Sequence, residues 1–151
     1  MKKELKVPLI KNGTVIDHIT AGDAIKVLTI LGIPEKISSV VSVVMNVKSK
    51  FGKKDIVKVE NRELDPKEVD KIALIAPKAT INIIRNYKVA KKQRVKLPNE
   101  IVAIVKCSNP TCISNANEPV ESRFLVIKKD PPEIKCYYCE RVVEDISERI
   151  I

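Results

Sequence analysis

The 151-residue sequence is poor in aromatic residues and contains no long apolar run. It has no tryptophan, three tyrosines and two phenylalanines. No stretch approaches the roughly 20 apolar residues that span a membrane, and residues 1–8 lack the apolar segment of a secretion signal. These absences favour a protein of the reducing cytoplasm, where cysteines stay unpaired.

The sequence also lacks the usual signs of an enzyme or of a glycine-rich phosphate loop. Only four glycines occur, and neither a Walker motif nor GxGxxG is present. The one histidine, His18, follows Asp17 in a predicted strand, where neighbouring side chains point to opposite faces. We therefore expect these two residues not to share a pocket, and we predict no catalytic centre. A hydrogen-bonded or ligand-contacting His18 fits the pattern better.

All four cysteines lie in two short pairs. Cys107 and Cys112 are separated by four residues, and Cys136 and Cys139 by two. Two such knuckles are typical of one tetrahedral zinc ion, and we favour this interpretation over two disulfides. Four protein ligands leave no open position on the metal, so the predicted zinc is structural.

Charge is unevenly distributed along the chain, whose net charge is +9. Residues 1–97 contain 21 lysines and arginines against 10 acidic residues, whereas residues 98–151 contain 7 against 9. An anionic ligand is therefore expected in the first part. The second part, which contains the cysteines, has a net negative charge and is therefore poorly suited to bind a phosphate backbone.

Hydrophobic patterning predicts two domains, at residues 1–97 and 98–151. The first has the order ββαββαββ, with strands expected near 5–9, 15–19, 40–47, 56–59, 80–85 and from 89 onward. Its helices are expected after Thr20, as a capping residue, and after Asp65. This order favours α+β, a ferredoxin-like sandwich of a mostly antiparallel sheet with two helices. The second domain is expected to be all-β, with strands at 101–106, 124–128, 134–135 and 142–146, stabilised by metal.

Two kinds of anionic partner fit the basic part. One is a nucleoside triphosphate held by converging lysines; the other is nucleic acid. Binding of single strands uses stacking aromatic side chains, and the basic part offers only Phe51 and Tyr87. A basic zinc-ribbon protein that binds nucleic acid is therefore the alternative, and nucleic acid is the less favoured partner.

Several motifs together resemble the regulatory chain of aspartate carbamoyltransferase. They follow one another through nearly the whole sequence: NGTVIDH at residues 12–18, GKKD at 52–55, KVEN at 58–61, APKATIN at 76–82, and the four cysteines. The resemblance implies a non-catalytic subunit of pyrimidine biosynthesis. It also implies an allosteric domain that binds ATP, CTP or UTP and a zinc domain that contacts the catalytic chain.

The resemblance also assigns roles to individual residues. It implies an effector site formed by Asp17, His18, Lys58, Asn82, Ile84, Tyr87, Val89 and Lys92. It implies contacts with trimers of the catalytic chain at Asn109, Thr111, Glu118, Tyr138, Glu140 and Arg141. Two regulatory chains are expected to pair through their allosteric domains, and no membrane partner is expected.

Overall fold

The structure, a computed structural model, describes residues 10–33, 39–50, 52–116 and 120–151. Within these residues, five antiparallel strands form one sheet in the order β2-β3-β1-β4-β5, and three form another in the order β6-β7-β8. The strands are β1 (Gly13–Thr20), β2 (Val41–Ser49), β3 (Gly52–Glu60), β4 (Thr80–Arg85), β5 (Lys88–Arg94), β6 (Glu100–Val102), β7 (Arg123–Lys129) and β8 (Pro132–Cys136). The helices are α1 (Ala24–Ile30), α2 (Pro66–Ile75) and α3 (Ile146–Arg149). The expected fold class is confirmed; the strand expected at 5–9 lies outside the described residues.

The larger sheet buries one face because its apolar residues are in register. Ile16 of β1 is opposite Val57 of β3 and Ile81 of β4, and none of the three is more than 1% exposed. Residues directly opposite on neighbouring strands share a face. The core forms here, where Val27 of α1 and Ile72 of α2 complete it. The other face carries the polar residues.

The two longer helices begin differently. Asp65 caps α2 as the sequence predicts: it accepts from the Glu68 amide at 2.9 Å, and the Glu68 carboxylate accepts from the Asp65 amide at 3.2 Å. The expectation that Thr20 caps α1 is wrong, because the N-cap position is Asp23. The Ala24 amide at this end donates instead to Asp55, a residue of a neighbouring strand.

The smaller sheet packs around Phe124, which is fully buried. The strand expected at residues 142–146 does not form, because only Val142 makes a bridge, to Lys135, before the chain turns into α3. The apolar residues of that segment differ in burial: Val143 is in the core, whereas Val142 is 43% exposed. The second region is thus β-rich with one short terminal helix.

The two regions contact each other beside the end of β5. Val95 and Leu97, which follow β5, are 5% and 4% exposed, and the Val95 amide donates to the Ala79 carbonyl at 3.0 Å. An ion pair joins Lys78 to Asp130 across the junction at 3.8 Å. None of the helices among the described residues is long and apolar enough to cross a membrane.

Candidate metal centre and anion-binding face

The four cysteine sulfurs converge at one point. All four Sγ atoms lie within 4.8 Å of one another, and the distances Cys107–Cys139 and Cys112–Cys136 are both 3.6 Å. Sulfurs bound at about 2.3 Å to a tetrahedral zinc stand roughly 3.8 Å apart, whereas a disulfide requires about 2.05 Å. All four thiols are free. The donor set therefore fits a four-coordinate metal ion, and the disulfide alternative does not fit.

Each cysteine pair is shaped by a tight turn. The Cys112 amide donates to the Asn109 carbonyl at 3.1 Å, and the Glu140 amide donates to the Cys136 carbonyl at 3.0 Å. Glu140 takes a positive φ of 63°, which bends the second loop back toward its first cysteine. Cys136 itself ends β8, opposite the buried Phe124. The small sheet thus fixes one knuckle, and backbone hydrogen bonds close both.

The thiols differ in acidity because their surroundings differ. Burial raises the pKa of Cys107 to about 12 and also raises the pKa of Cys136. Burial acts on Cys139 too, but hydrogen bonds from the Arg141 amide and from Asn109 outweigh it and lower its pKa to about 7. A metal ion binds thiolates, so binding here releases protons.

Across the larger sheet, residues assigned to the effector site form one row. Lys58 of β3 is opposite Val15 of β1, which is opposite Asn82 of β4, which is opposite Lys92 of β5. All four therefore share the face that the core does not use. We call this the open face. A row of three strand spacings is about 14 Å wide.

The remaining assigned residues extend this face toward the β4–β5 turn. Ile84 follows Asn82 by two positions and is 8% exposed. Tyr87 and Val89 lie at the turn and in β5, and they are 62% and 57% exposed. The structure therefore brings the apolar and aromatic members to one end and leaves the lysines nearer the centre.

Asp17 and His18 occupy the other end, and here the expectation of opposite faces is wrong. A bulge between Ile16 and Ile19 breaks the alternation of β1 against β3, and His18 takes a φ of 57°. As a result, His18 Nδ1 lies 3.9 Å from the Asp17 carboxylate and 3.3 Å from Thr80 Oγ1. Burial raises the pKa of Asp17, but the Lys54 ammonium at 2.8 Å and the His18 amide together lower it below 3.8.

A cationic pocket of about 400 Å³ opens beside His18. We call it the anion pocket; it is lined by His18, Ile19, Thr20, Ser49, Lys53, Lys54, Lys78, Thr80 and Arg94. The effector site assigned from the sequence includes none of the lysines and arginines of this pocket, which are Lys53, Lys54, Lys78 and Arg94. The alternation of β3 places Lys54 on the same face as Lys58 and could have identified it. Lys78 lies between α2 and β4, where no alternating pattern predicts the direction of its side chain.

Two family models match the chain. The model described as aspartate carbamoyltransferase regulatory chain, allosteric domain, matches residues 5–96, and the model for the metal binding domain of the same chain matches residues 99–148. The chain belongs to the aspartate carbamoyltransferase regulatory-chain family. The open face and anion pocket are therefore in the region of the allosteric domain, and the four cysteines are in the metal-binding domain.

Curated regulatory chains are similar over nearly their full length. The aspartate carbamoyltransferase regulatory chain of Methanothermobacter thermautotrophicus is 58% identical over 95% of this chain and 94% of its own length. That of Methanothrix thermoacetophila is 56% identical over 100% and 99%, and that of Methanocella arvoryzae is 57% identical over 99% and 98%. The chain is thus a non-catalytic regulatory subunit of an enzyme.

In this regulatory chain, the residues assigned to the catalytic-chain contact lie around the metal knuckles. Asn109 is 9% exposed, and its side-chain oxygen accepts from the Thr111 amide and hydroxyl at 3.1 and 2.9 Å. These hydrogen bonds stabilise the loop that contains both residues. Thr111, Glu140 and Arg141 are exposed. Tyr138 is 38% exposed, and its hydroxyl donates to the Glu121 carbonyl at 3.1 Å. Glu118 lies outside the described residues.

Two further exposed side chains lie next to these knuckles, and one of them, Ile113, is not among the residues that the resemblance assigns to the contact. Ile113 directly follows Cys112 and is 49% exposed, and Tyr137 directly follows Cys136 and is 53% exposed. Tyr137 packs edge-on to Tyr138 at 5.3 Å, and the Arg123 guanidinium lies 5.4 Å from its ring. The position of Ile113 directly after a knuckle cysteine is the signal that could have identified it from the sequence.

Proposed function

We propose that this chain binds nucleoside triphosphates on the open face of residues 1–97 and thereby regulates the catalytic chains of aspartate carbamoyltransferase in pyrimidine biosynthesis. The effectors are ATP, CTP and UTP, and the chain works in the cytoplasm. The observation that carries this proposal is the continuous path from Tyr87, across the row of Lys58, Asn82 and Lys92, to the anion pocket.

The chemistry of the path suits such a ligand. The exposed ring of Tyr87 and the apolar Val89 provide a surface for a base at one end. Lysines of the central row suit a ribose and the first phosphate, and Lys53, Lys54 and Arg94 of the pocket suit the outer phosphates. The path runs along the strands, and β4 spans about 17 Å from Thr80, at the pocket, to Arg85, beside the turn.

We further propose that the metal is zinc and that it is structural. Four thiolates suit zinc chemically. With the site closed, its role is to hold residues 98–151 in shape for contact with catalytic trimers. The apolar and aromatic residues exposed beside the knuckles, Ile113 and Tyr137 among them, suit a protein partner.

The same subunit is proposed to pair with a second copy through residues 1–97. Among the described strands, β2 forms an outer edge of the larger sheet, and its Val43 and Met45 are 37% and 41% exposed. An edge strand with apolar side chains can pair with another chain. With this pairing, the anion pocket beside His18 and Arg94 is still formed by one copy, because its lysines all belong to that copy.

Titration calorimetry of CTP and ATP into the zinc-loaded full chain tests nucleotide binding. Lys92→Ala should weaken CTP binding about tenfold, the loss expected for one charge-assisted contact. Lys67→Ala is the matched control, because it removes the same charge from the exposed surface of α2. Equal affinities of the two variants would contradict the placement. Salt-dependent binding to duplex DNA without CTP binding would favour the nucleic-acid alternative.

A further inference from the structure

Asp55 is a fully buried carboxylate that the proposed nucleotide site does not contact. It lies on the core face of β3, where Val57 and Val59 are its apolar neighbours along the strand. Its Oδ2 atom accepts from the Gly22 amide at 2.8 Å and from the Ala24 amide at 3.1 Å, and its Oδ1 atom accepts from the Asn46 amide at 2.9 Å. A buried carboxylate is costly without such partners, so these bonds define its place.

The strands on both sides of β3 are irregular next to this carboxylate. On the β1 side the register shifts between Ile16 and Ile19, and on the β2 side it shifts between Val44 and Val47. The second bulge contains Asn46, whose φ of 60° turns its amide out of the ladder. Asp55 accepts that amide. The carboxylate thus compensates for the bulge in β2 and also binds the loop that follows the bulge in β1.

Each segment bound by Asp55 leads directly into the wall of the anion pocket. Thr20 precedes the bound Gly22 by two residues, and Ser49 follows the bound Asn46 by three. Lys53 and Lys54 immediately precede Asp55 in β3. Three separate parts of the pocket therefore take their relative positions from one side chain beneath it.

We propose that Asp55 is a positioning residue for the anion pocket. It does not touch the ligand; it fixes the spacing between the Thr20 loop, the Ser49 end of β2 and the two lysines of β3. The pocket lies at the end of the open face away from Tyr87, so this effect falls on the outer phosphates and spares the base. The inference rests on the proposed nucleotide function of the same face.

The discriminating measurement compares CTP with CMP, which lacks the two outer phosphates. Both are titrated calorimetrically into the zinc-loaded full chain. Asp55→Asn keeps the shape of the side chain but replaces one acceptor oxygen with a donor group that opposes a backbone amide. We expect the CTP-to-CMP affinity ratio to fall about tenfold, the lower end of the loss when a partner that orients binding groups is removed, with little change in CMP affinity.

A matched control separates positioning from simple loss of stability. Val27→Ala removes fully buried side-chain volume from α1 without removing any amide that donates to Asp55. It should lower the melting temperature and leave the CTP-to-CMP ratio unchanged. His18 is the only histidine, so the NMR signals of its imidazole ring are readily assigned; they should move in Asp55→Asn and stay in place in Val27→Ala.

A second variant covers the case in which Asp55→Asn does not fold. Asn46→Ala keeps the amide but disfavours the left-handed conformation of the β2 bulge, and it should lower the same ratio to a smaller extent. Equal losses of CTP and CMP affinity in the folded variants would overturn the positioning role, as would a lowered ratio in Val27→Ala. Failure of the parent chain to bind CTP would instead contradict the proposed function.

Discussion

The two regions of this regulatory chain are stabilised in different ways. The first buries an apolar layer between a five-stranded sheet and two helices, with Ile16, Val57 and Ile72 fully buried. The second has a three-stranded sheet around Phe124, and Leu125 and Ile127 on its outer side are 41% and 55% exposed. A region of that size buries too little apolar surface to fold by packing alone. The four cysteines of this region offer ligands for a metal ion that would add stability, whereas the described residues of the first region contain no such cluster.

Removing the metal should have the largest effect, and this effect should fall on the second region. Structural zinc contributes roughly 10–16 kcal/mol of apparent binding energy in small zinc peptides, so a chelator should unfold the second region. Hydrogen exchange should show fast exchange of β7 and β8 amides and slow exchange of β1 and β3 amides. Assembly with catalytic trimers should be lost.

The variant form of this test is Cys112→Ser, with Ser108→Ala as the control substitution in the same loop. Adding zinc back should restore protection to the chelated parent chain but not to Cys112→Ser. Equally fast exchange in both regions after chelation would show that they form one cooperative unit.

A smaller effect is expected when the first region alone is destabilised. Asp65→Ala removes the capping box of α2, so the first region should lose about 1 kcal/mol of unfolding free energy. Affinity for zinc should stay the same, because α2 contacts the second region at α3 and Ile151, neither of which contains a cysteine. Denaturant unfolding with a parallel zinc competition assay measures both, and Lys67→Ala serves as the neighbouring control. A change in zinc affinity would contradict the separation of the two regions.

The smallest expected effect concerns acid pH. The pKa of Asp17 is lowered in the folded chain, so its pairing with Lys54 contributes stability above pH 3.8 that is lost as pH falls through the folded pKa. Protons should compete with zinc for thiolates at higher pH than this. Acidification should therefore release zinc first and weaken the first region later.

Circular dichroism and a zinc-release dye follow these two steps in one titration. Asp17→Asn should reduce only the later step, because it removes the carboxylate without altering the cysteines. A shift in the pH of zinc release in this variant would argue against the assignment.

Features fixed by neighbouring residues could be predicted from the sequence. The capping box of α2 depends on Asp65 and Glu68, three positions apart, and the metal centre depends on two short cysteine spacings. The row of Lys58, Asn82 and Lys92 required the family resemblance, since periodicity gives faces but not register. Strand register then placed those residues side by side.

Features fixed by distant residues could not be predicted. The bulge at Asp17 and His18 and the start of α1 both occur where Asp55, more than 30 positions away, accepts backbone amides. No local pattern near Thr20 contains that information, so the sequence wrongly predicts a cap at this residue. Likewise, Val142 to Ile146 has strand-like composition, but the neighbouring strand offers it only a single bridge, at Lys135.

The left-handed backbone at His18 has a consequence for how this position can vary. A φ of 57° is tolerated by asparagine, aspartate and glycine but opposed by valine, isoleucine and threonine. In a saturation library at position 18 that is selected for folding alone, the residues that survive should therefore be those that tolerate a positive φ, whatever their charge. Selection for response to nucleotides should then retain fewer of the survivors, and the difference between the two selections would measure the imidazole's own contribution.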